Sequence, residues 1–370
     1  KTMSEIKNPG KSIRAKLLNV AKQKDVFYQT ILTRYFQERL LYRISQTHYR
    51  ENFYLKGGAL MYAYERFAAR PTLDIDFLGT HISNDGERIA EAFREICAVE
   101  CEEDGVRFAA DKITAQNITE FKDYHGIRLS IPATMDTIAQ VMTMDIGFGD
   151  VVTPHPVSLD YPLLLEELPE ANILAYSTET VIAEKMHAII DLADQSSRMK
   201  DYYDIYHLLT SFKYDNTILQ EAINRTFENR HTLYNADTMF FRKDFPNHPQ
   251  MQLRWSAFLK KATIKNSLSF SEVAHWLQEA LMPYWEAYGC IPIYVILPTI
   301  NTSYKKSAPS PPPGKRCTTQ TKQTIVYLHR QRRTHYSIFP MLLLLKEKCL
   351  GHGFSRGNEA LHSDIKDIGH

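Results

Sequence analysis

Asp74 and Asp76, separated by one isoleucine in LDIDFLG, are the residues of this chain whose type and spacing most suggest chemistry. Side chains on a strand alternate between faces, so the two carboxylates share one face about 6.5 Å apart along the backbone, and Leu73, Ile75 and Phe77 share the other. The apolar side should lie on a core. That leaves two like charges together on the opposite face, a costly arrangement unless a cation sits between them. Mg²⁺ takes carboxylate and phosphate oxygens and keeps part of its water, so a carboxylate pair facing a nucleoside triphosphate is the kind of site it uses. Alone, the pair also fits a solvent-facing edge or a turn cap. A third acid, Asp145, interrupts the apolar run QVMTMDIGFGD in the same way, and two neighbouring strands could aim all three carboxylates at one point.

The elements around these residues follow from periodicity. Residues 11–48 carry apolar positions at three- and four-residue spacings and read as two helices. NFYLKGG reads as a strand ending at Gly57 and Gly58, and ALMYAYERFAA as a helix ended by Pro71. Glycines at such a strand-to-helix turn let backbone N–H groups approach a phosphate, whose charge the helix N-terminus favours; a plain tight turn is the other reading. An amphipathic helix is expected over 84–103, with strands around 106–113, 125–131 and 141–148. This order of helix, strand, helix, strand, helix and three strands predicts an α+β fold with a sheet domain flanked by helices, not a βαβ repeat. Pro154, Pro156, Pro162 and Pro169 punctuate a connector. From Ser177, STETVIAEKMHAIIDLA opens with a capping pattern, and helices continue to about Tyr288 as a helical domain. The expected division is N-terminal helices in 1–50, a sheet domain in 51–160, a helical domain in 177–288 and a tail in 289–370.

Bulk properties bound the chain without selecting a chemistry. Its 370 residues can bury a full core and hold more than one domain, and the composition is that of a globular protein. A formal net charge of +1 supplies no global field to steer a polyanion, so nucleic-acid contact requires a local basic surface. Five scattered cysteines argue against a disulfide framework and for a reducing cytoplasm. Cys97 and Cys101, four apart in an expected helix, read as two small buried residues sharing a face rather than as half a metal site. The opening KTMSEIKNPGKSIRAKLL has no apolar block of a signal peptide, and the apolar runs near Ile291 and Met341 fall short of the roughly 20 residues that span a bilayer, so no membrane association is expected. From Asn301 onward PSPPPGKR, TTQTKQT and RQRRTH are low-complexity, with about twelve Lys/Arg against four Asp/Glu. This tail reads as a disordered or non-native extension, or else as a basic arm that touches RNA.

KGGALMYAYERFAARPTLDIDF resembles the first motif of the DNA polymerase beta-like nucleotidyltransferase superfamily, and more closely that of the AbiEii-type toxin family. The helices before LKGG, the DIGFGD strand, AYSTETVIAEKMHAII and RMKDYYDIYHLL are similar to that family in the same order. The resemblance implies a nucleotidyltransferase-type mixed sheet, with Asp74 and Asp76 as the metal pair and Asp145 as the third carboxylate, helping to activate the attacking hydroxyl. It places Lys56, Gly57, Gly58 and Arg70 near the nucleotide and makes Lys185 a neutraliser of phosphate charge. Lys200, Asp201 and Asp204 match a later cluster thought to complete the active site, with Asp204 catalytic and Lys200 and Asp201 nucleotide-binding. It further implies Mg²⁺ or Mn²⁺ as cofactor, a nucleoside triphosphate as substrate, RNA (tRNA) as acceptor, a toxin role in toxin–antitoxin or phage-defence systems, and a cognate antitoxin as partner.

Each assignment has a plainer alternative. Lys185 reads equally as a surface lysine, and Asp201 and Asp204, three apart on one helical face, as partners of Arg198 and Lys200. Arg70 fits a salt bridge to Asp74 or Asp76, and His187 reads as packed. A small-molecule or protein acceptor, or a binding module of the same fold without turnover, is compatible with the same residues.

Overall fold

The computed structural model describes residues 8–121, 124–264 and 268–290, with the backbone alone at 119–121, 124–125, 293–297 and 324–328. Asn8 starts the first helix, its side chain accepting from Lys11 N at 3.0 Å, and Pro9 follows where a missing N–H costs nothing. The two expected helices are α1 (Pro9–Lys24) and α2 (Tyr28–Ser45). Buried α2 positions include Thr33, Arg34, Gln37, Glu38, Arg39 and Arg43, none more than 4% exposed. Buried polar groups need partners, and these take many of theirs from neighbouring backbone. Arg34 Nη2 donates to Ala69 O at 3.1 Å, Gln37 Nε2 to Asp74 O at 3.3 Å and Arg39 Nη2 to Pro169 O at 3.0 Å, while Leu164 N donates to Glu38 Oε2 at 2.8 Å. α2 thereby ties the strap before the DxD strand to a loop some ninety residues later in the chain.

β1 (Phe53–Lys56) runs directly into α3 (Gly57–Glu65), and β2 (Asp74–Gly79) precedes α4 (Gly86–Cys97). Then come β3 (Val106–Phe108), β4 (Thr114–Phe121), β5 (Tyr124–Met135), β6 (Ile138–Phe148), β7 (Val157–Tyr161) and β8 (Ala171–Ala175). They form one eight-stranded mixed sheet in the order β3-β5-β6-β2-β1-β8-β7, with β4 also paired to β5. β2 lies parallel to β6 and β1 parallel to β8, and the other pairings are antiparallel. Ser177 caps α5 (Thr178–Leu192), followed by α6 (Met199–Ser211), α7 (Asn216–Asn229), α8 (Pro249–Ala262) and α9 (Phe270–Gly289), the last opened by a Ser269/Glu272 capping box. β9 (Ile293–Leu297) and β10 (Thr324–Leu328) pair antiparallel; the rest of the expected tail beyond Cys290 lies outside the described residues. Among the described residues no helix is long and apolar enough to cross a membrane.

The α+β class agrees with the sequence reading, and several boundaries do not. Leu73 is 76% exposed rather than core-facing, because β2 begins only at Asp74 and residue 73 belongs to the strap. α4 ends at Cys97 rather than 103, since Glu102–Asp104 forms a tight turn that presents Asp104 to Arg43; Cys97 and Cys101 therefore do not share a helix face. The single strand expected over 106–113 is the short β3 followed by a turn, and the separate β4 was not foreseen. β7 and β8 occupy the proline-punctuated connector.

Arg43 and Asp104 form a buried ion pair, their side chains 2% and 0% exposed, and Asp104 also accepts from Val106 N at 2.8 Å. Arg43→Ala leaves a buried carboxylate without its cation and should lower the unfolding free energy by about 3–5 kcal/mol. Urea denaturation checks this, and Asp104→Ala added to that variant should cost less than the two single losses combined.

Candidate active site

The parallel register sets Asp74 beside Thr143 and Asp76 beside Asp145. Ile75, Phe77, Met144 and Ile146 therefore fall on the opposite face, each 0% exposed, and the acids are turned together toward a cleft of about 660 Å³. One carboxylate oxygen from each of Asp74, Asp76 and Asp145 lies within 4.8 Å of the others. The convergence expected from two neighbouring strands is present. Carboxylate oxygens with no soft ligand, on a face half open to the cleft, suit a hard divalent cation that also keeps water or phosphate oxygens. Thr72 Oγ1 donates to Asp74 Oδ1 at 2.8 Å. Arg128, on β5, grips Asp145 with Nε to Oδ1 at 2.7 Å and Nη2 to Oδ2 at 2.6 Å.

Both glycines are required by close approach. Gly57 has φ of 67°, and a Cβ there would come within 1.8 Å of Asp76 Oδ2; one on Gly58 would come within 2.6 Å of Thr72. The turn is thus moulded against the carboxylates, with the N-terminus of α3 beside them. Lys56, the last residue of β1, binds Asp150 at 3.1 Å and Glu184 at 3.7 Å. Arg230 binds the same two acids, Nη2 lying 2.8 Å from Asp150 and 3.2 Å from Glu184. Burial pushes Glu184 up to about 7, whereas for Asp150 the burial cost is outweighed by Lys56 and Arg230, which hold it well below the usual range.

Lys185 is a buried lysine, not a surface one. Its Nζ lies 3.0 Å from Asp201 and 2.7 Å from Asp204, and although burial opposes its charge these two acids raise its pKa on balance. Arg70 forks onto Asp204, Nε to Oδ1 and Nη2 to Oδ2 both at 2.9 Å, so its ion pair is not to Asp74 or Asp76. Arg198 donates to Asp201 Oδ2 at 2.8 Å. Both acids are 1% exposed; Asp201 reaches the cleft wall and Asp204 lies behind it, while Lys200 is half-buried on the lining. His187 is packed, as read from sequence, with Arg230 Nη1 3.3 Å from Nδ1 and Thr232 Oγ1 2.7 Å from Nε2.

Asp150, Glu184, Arg230 and Arg128 were not singled out from the sequence. Asp150 closes the same DIGFGD motif as Asp145 and could have been found there. Glu184 is one position from Lys185, too close for helical periodicity to mark it apart. Arg230 and Arg128 carried no local signal, because their partners are 80 and 17 residues away in the chain.

Gly57→Ala forces a side chain into positive φ, at about 1–2 kcal/mol, and displaces Asp76. Any chemistry that depends on the three acids should slow about 100-fold by misplacement of one carboxylate, with the far-UV spectrum unchanged. His187 titrates near 3 in the fold, through burial and then Arg230, against 6.5 unperturbed. Between pH 6.5 and 3 only the unfolded chain takes that proton, so stability falls as pH drops through this window. His187→Gln should make the fall shallower by up to about 1.4 kcal/mol per pH unit, read from urea midpoints.

A family model described as nucleotidyl transferase AbiEii toxin, type IV TA system, matches residues 39–280. Among curated proteins nothing matches the chain. Among solved structures the chain is similar to a candidate nucleotidyltransferase from H. pylori, with 14% identity and a TM-score of 0.40 over 71% of this chain and 97% of that one. It is similar also to JHP933 from Helicobacter pylori, with 14% identity and a TM-score of 0.41 over 70% and 93% of the two chains. The family match runs from within α2 into α9 and takes in the three converging aspartates, the glycine turn and Lys185, and this chain belongs to the AbiEii nucleotidyltransferase toxin family of type IV toxin–antitoxin systems.

Proposed function

We propose that this nucleotidyltransferase moves an NMP group from a nucleoside triphosphate to a hydroxyl of RNA, with tRNA as the acceptor, using Mg²⁺ or Mn²⁺ at Asp74, Asp76 and Asp145. The observation that carries this reading is the approach of three carboxylate oxygens to within 4.8 Å, beside a glycine turn at a helix N-terminus. Bound there, a divalent cation would activate the attacking hydroxyl and offset charge on the triphosphate.

The chain's own residues do the rest. The N–H groups of Gly57 and Gly58 at the start of α3 point their dipole at the triphosphate. Lys185 and Arg70 present fixed positive charge to the phosphates, each steadied by Asp204 from behind; Asp201 steadies Lys185 as well. In this reading Asp204 is a positioning residue rather than one that touches substrate. Lys56 is held at the turn by Asp150 and Glu184, and Lys200 offers charge nearer the mouth. The division of labour follows: 51–160 supplies the carboxylates and the turn, 177–288 supplies Lys185 with its acids, and 1–50 braces the sheet. The protein works in the cytoplasm, restrained by a cognate antitoxin in a toxin–antitoxin or phage-defence role.

Expression of the wild-type chain should arrest growth, and Asp76→Ala should relieve the arrest and cut transfer of labelled nucleotide to RNA by at least about 100-fold. Sequencing of RNA 3′ ends should show added nucleotides. Label on protein or on a small molecule with RNA unlabelled would replace the RNA acceptor, and undiminished toxicity of Asp76→Ala would sink the catalytic reading.

A further inference from the structure

Arg128 stands directly across from Asp145 in the antiparallel β5–β6 register and donates to both oxygens of its carboxylate. Asp74 and Asp76 act on the same guanidinium, which therefore lies in the field of all three acids. Two cations deeper in the cleft are differently placed. Arg70 and Lys185 are no more than 10% exposed and lodged against buried acids, whereas the Arg128 side chain is 45% exposed. It projects from the sheet face that carries Asp145, opposite Ile127 and Leu129 in the core, so its release leaves the core in place. A guanidinium already bonded to both oxygens of Asp145 and a divalent cation seeking one of them attract the same charge and repel each other. The guanidinium end of the pair is open to solvent, although the Asp145 side chain is only 9% exposed, so a divalent cation that binds the carboxylate can displace it into water; a pair that formed no bond to Asp145 would not compete at all.

We propose that Arg128 is the resident counter-cation of the triad, a positioning residue that holds Asp145 and offsets the mutual repulsion of the acids until a divalent cation enters and releases it into the cleft. This rests on the reading of Asp74, Asp76 and Asp145 as the metal site. Arg128 then lowers the affinity for metal alone while keeping the metal-free sheet intact.

The test is Mn²⁺ titration of the full chain without nucleotide, followed by the electron paramagnetic resonance signal of free Mn²⁺, for wild type, Arg128→Met and Arg128→Lys. Arg128→Met should bind Mn²⁺ more tightly than wild type by about fivefold or more, the effect expected from losing one ion pair exposed at its guanidinium end, and Arg128→Lys should stay near wild type because it keeps the charge. In chelator Arg128→Met should melt below wild type, with the gap closing at saturating Mn²⁺. Equal or weaker Mn²⁺ binding by Arg128→Met, when wild type binds, overturns this inference alone and makes Arg128 an orienter of Asp145 for metal or a bystander. Absence of Mn²⁺ binding in wild type and Arg128→Met alike overturns the metal-site reading and this inference with it.

Discussion

Three carboxylates held within a few ångströms of one another are the constraint around which the molecule is organised. At the 4.8 Å limit of their separation each pair of like charges repels by about 3.5 kcal/mol at an effective dielectric of about 20. The parallel pairing of β2 with β6 enforces this closeness, and burial on the reverse face enforces the pairing. Ile75, Phe77, Met144 and Ile146 each contribute about 1.5–3 kcal/mol when withdrawn from water, which anchors the register firmly enough to hold the acids together. A slip of one residue would turn the acids into the core and the apolar side chains into the cleft, so no neighbouring register competes.

Positive charge answers this concentration of acid in successive tiers. Arg128 meets Asp145 at the half-exposed rim, Lys56 and Arg230 are shared between Asp150 and Glu184, and Lys185 and Arg70 are held by Asp204. Each inner cation is itself clamped by an acid. Fixed charges of this kind reorganise little when a phosphate arrives, which is the condition under which electrostatic stabilisation is strongest. The bracing reaches outward through α2, whose buried Gln37 holds the Asp74 carbonyl and whose Arg34 holds that of Ala69, at either end of the strap between α3 and β2.

Much of the architecture was legible because it is local. Apolar spacing marked α1 and α2, the glycine pair marked the β1–α3 turn, and Ser177 marked the start of α5 through its own side chain. What escaped depends on distant pairing. β4, with Thr, Gln and Asn along its length, shows little apolar alternation and is a strand because β5 offers a free edge. β7 and β8 are five residues each among prolines, and the parallel contact of Leu55 with Ala175 joins them to the rest of the sheet. Leu73 looked like core by alternation and is exposed because pairing starts one residue later.

Local pattern alone was enough to put Asp74 and Asp76 on one face, a glycine turn before them and Asp145 in an apolar strand, because strand alternation and turn chemistry act over a few residues. It took the folded arrangement to set Asp145 beside Asp76, pair Arg70 with Asp204, bury Lys185 between two acids and cover the third carboxylate with Arg128. Those outcomes turn on which strands pair and in what register, and on which charges meet once water is excluded. Both are settled by the packing of segments far apart in the chain, where local pattern has no reach.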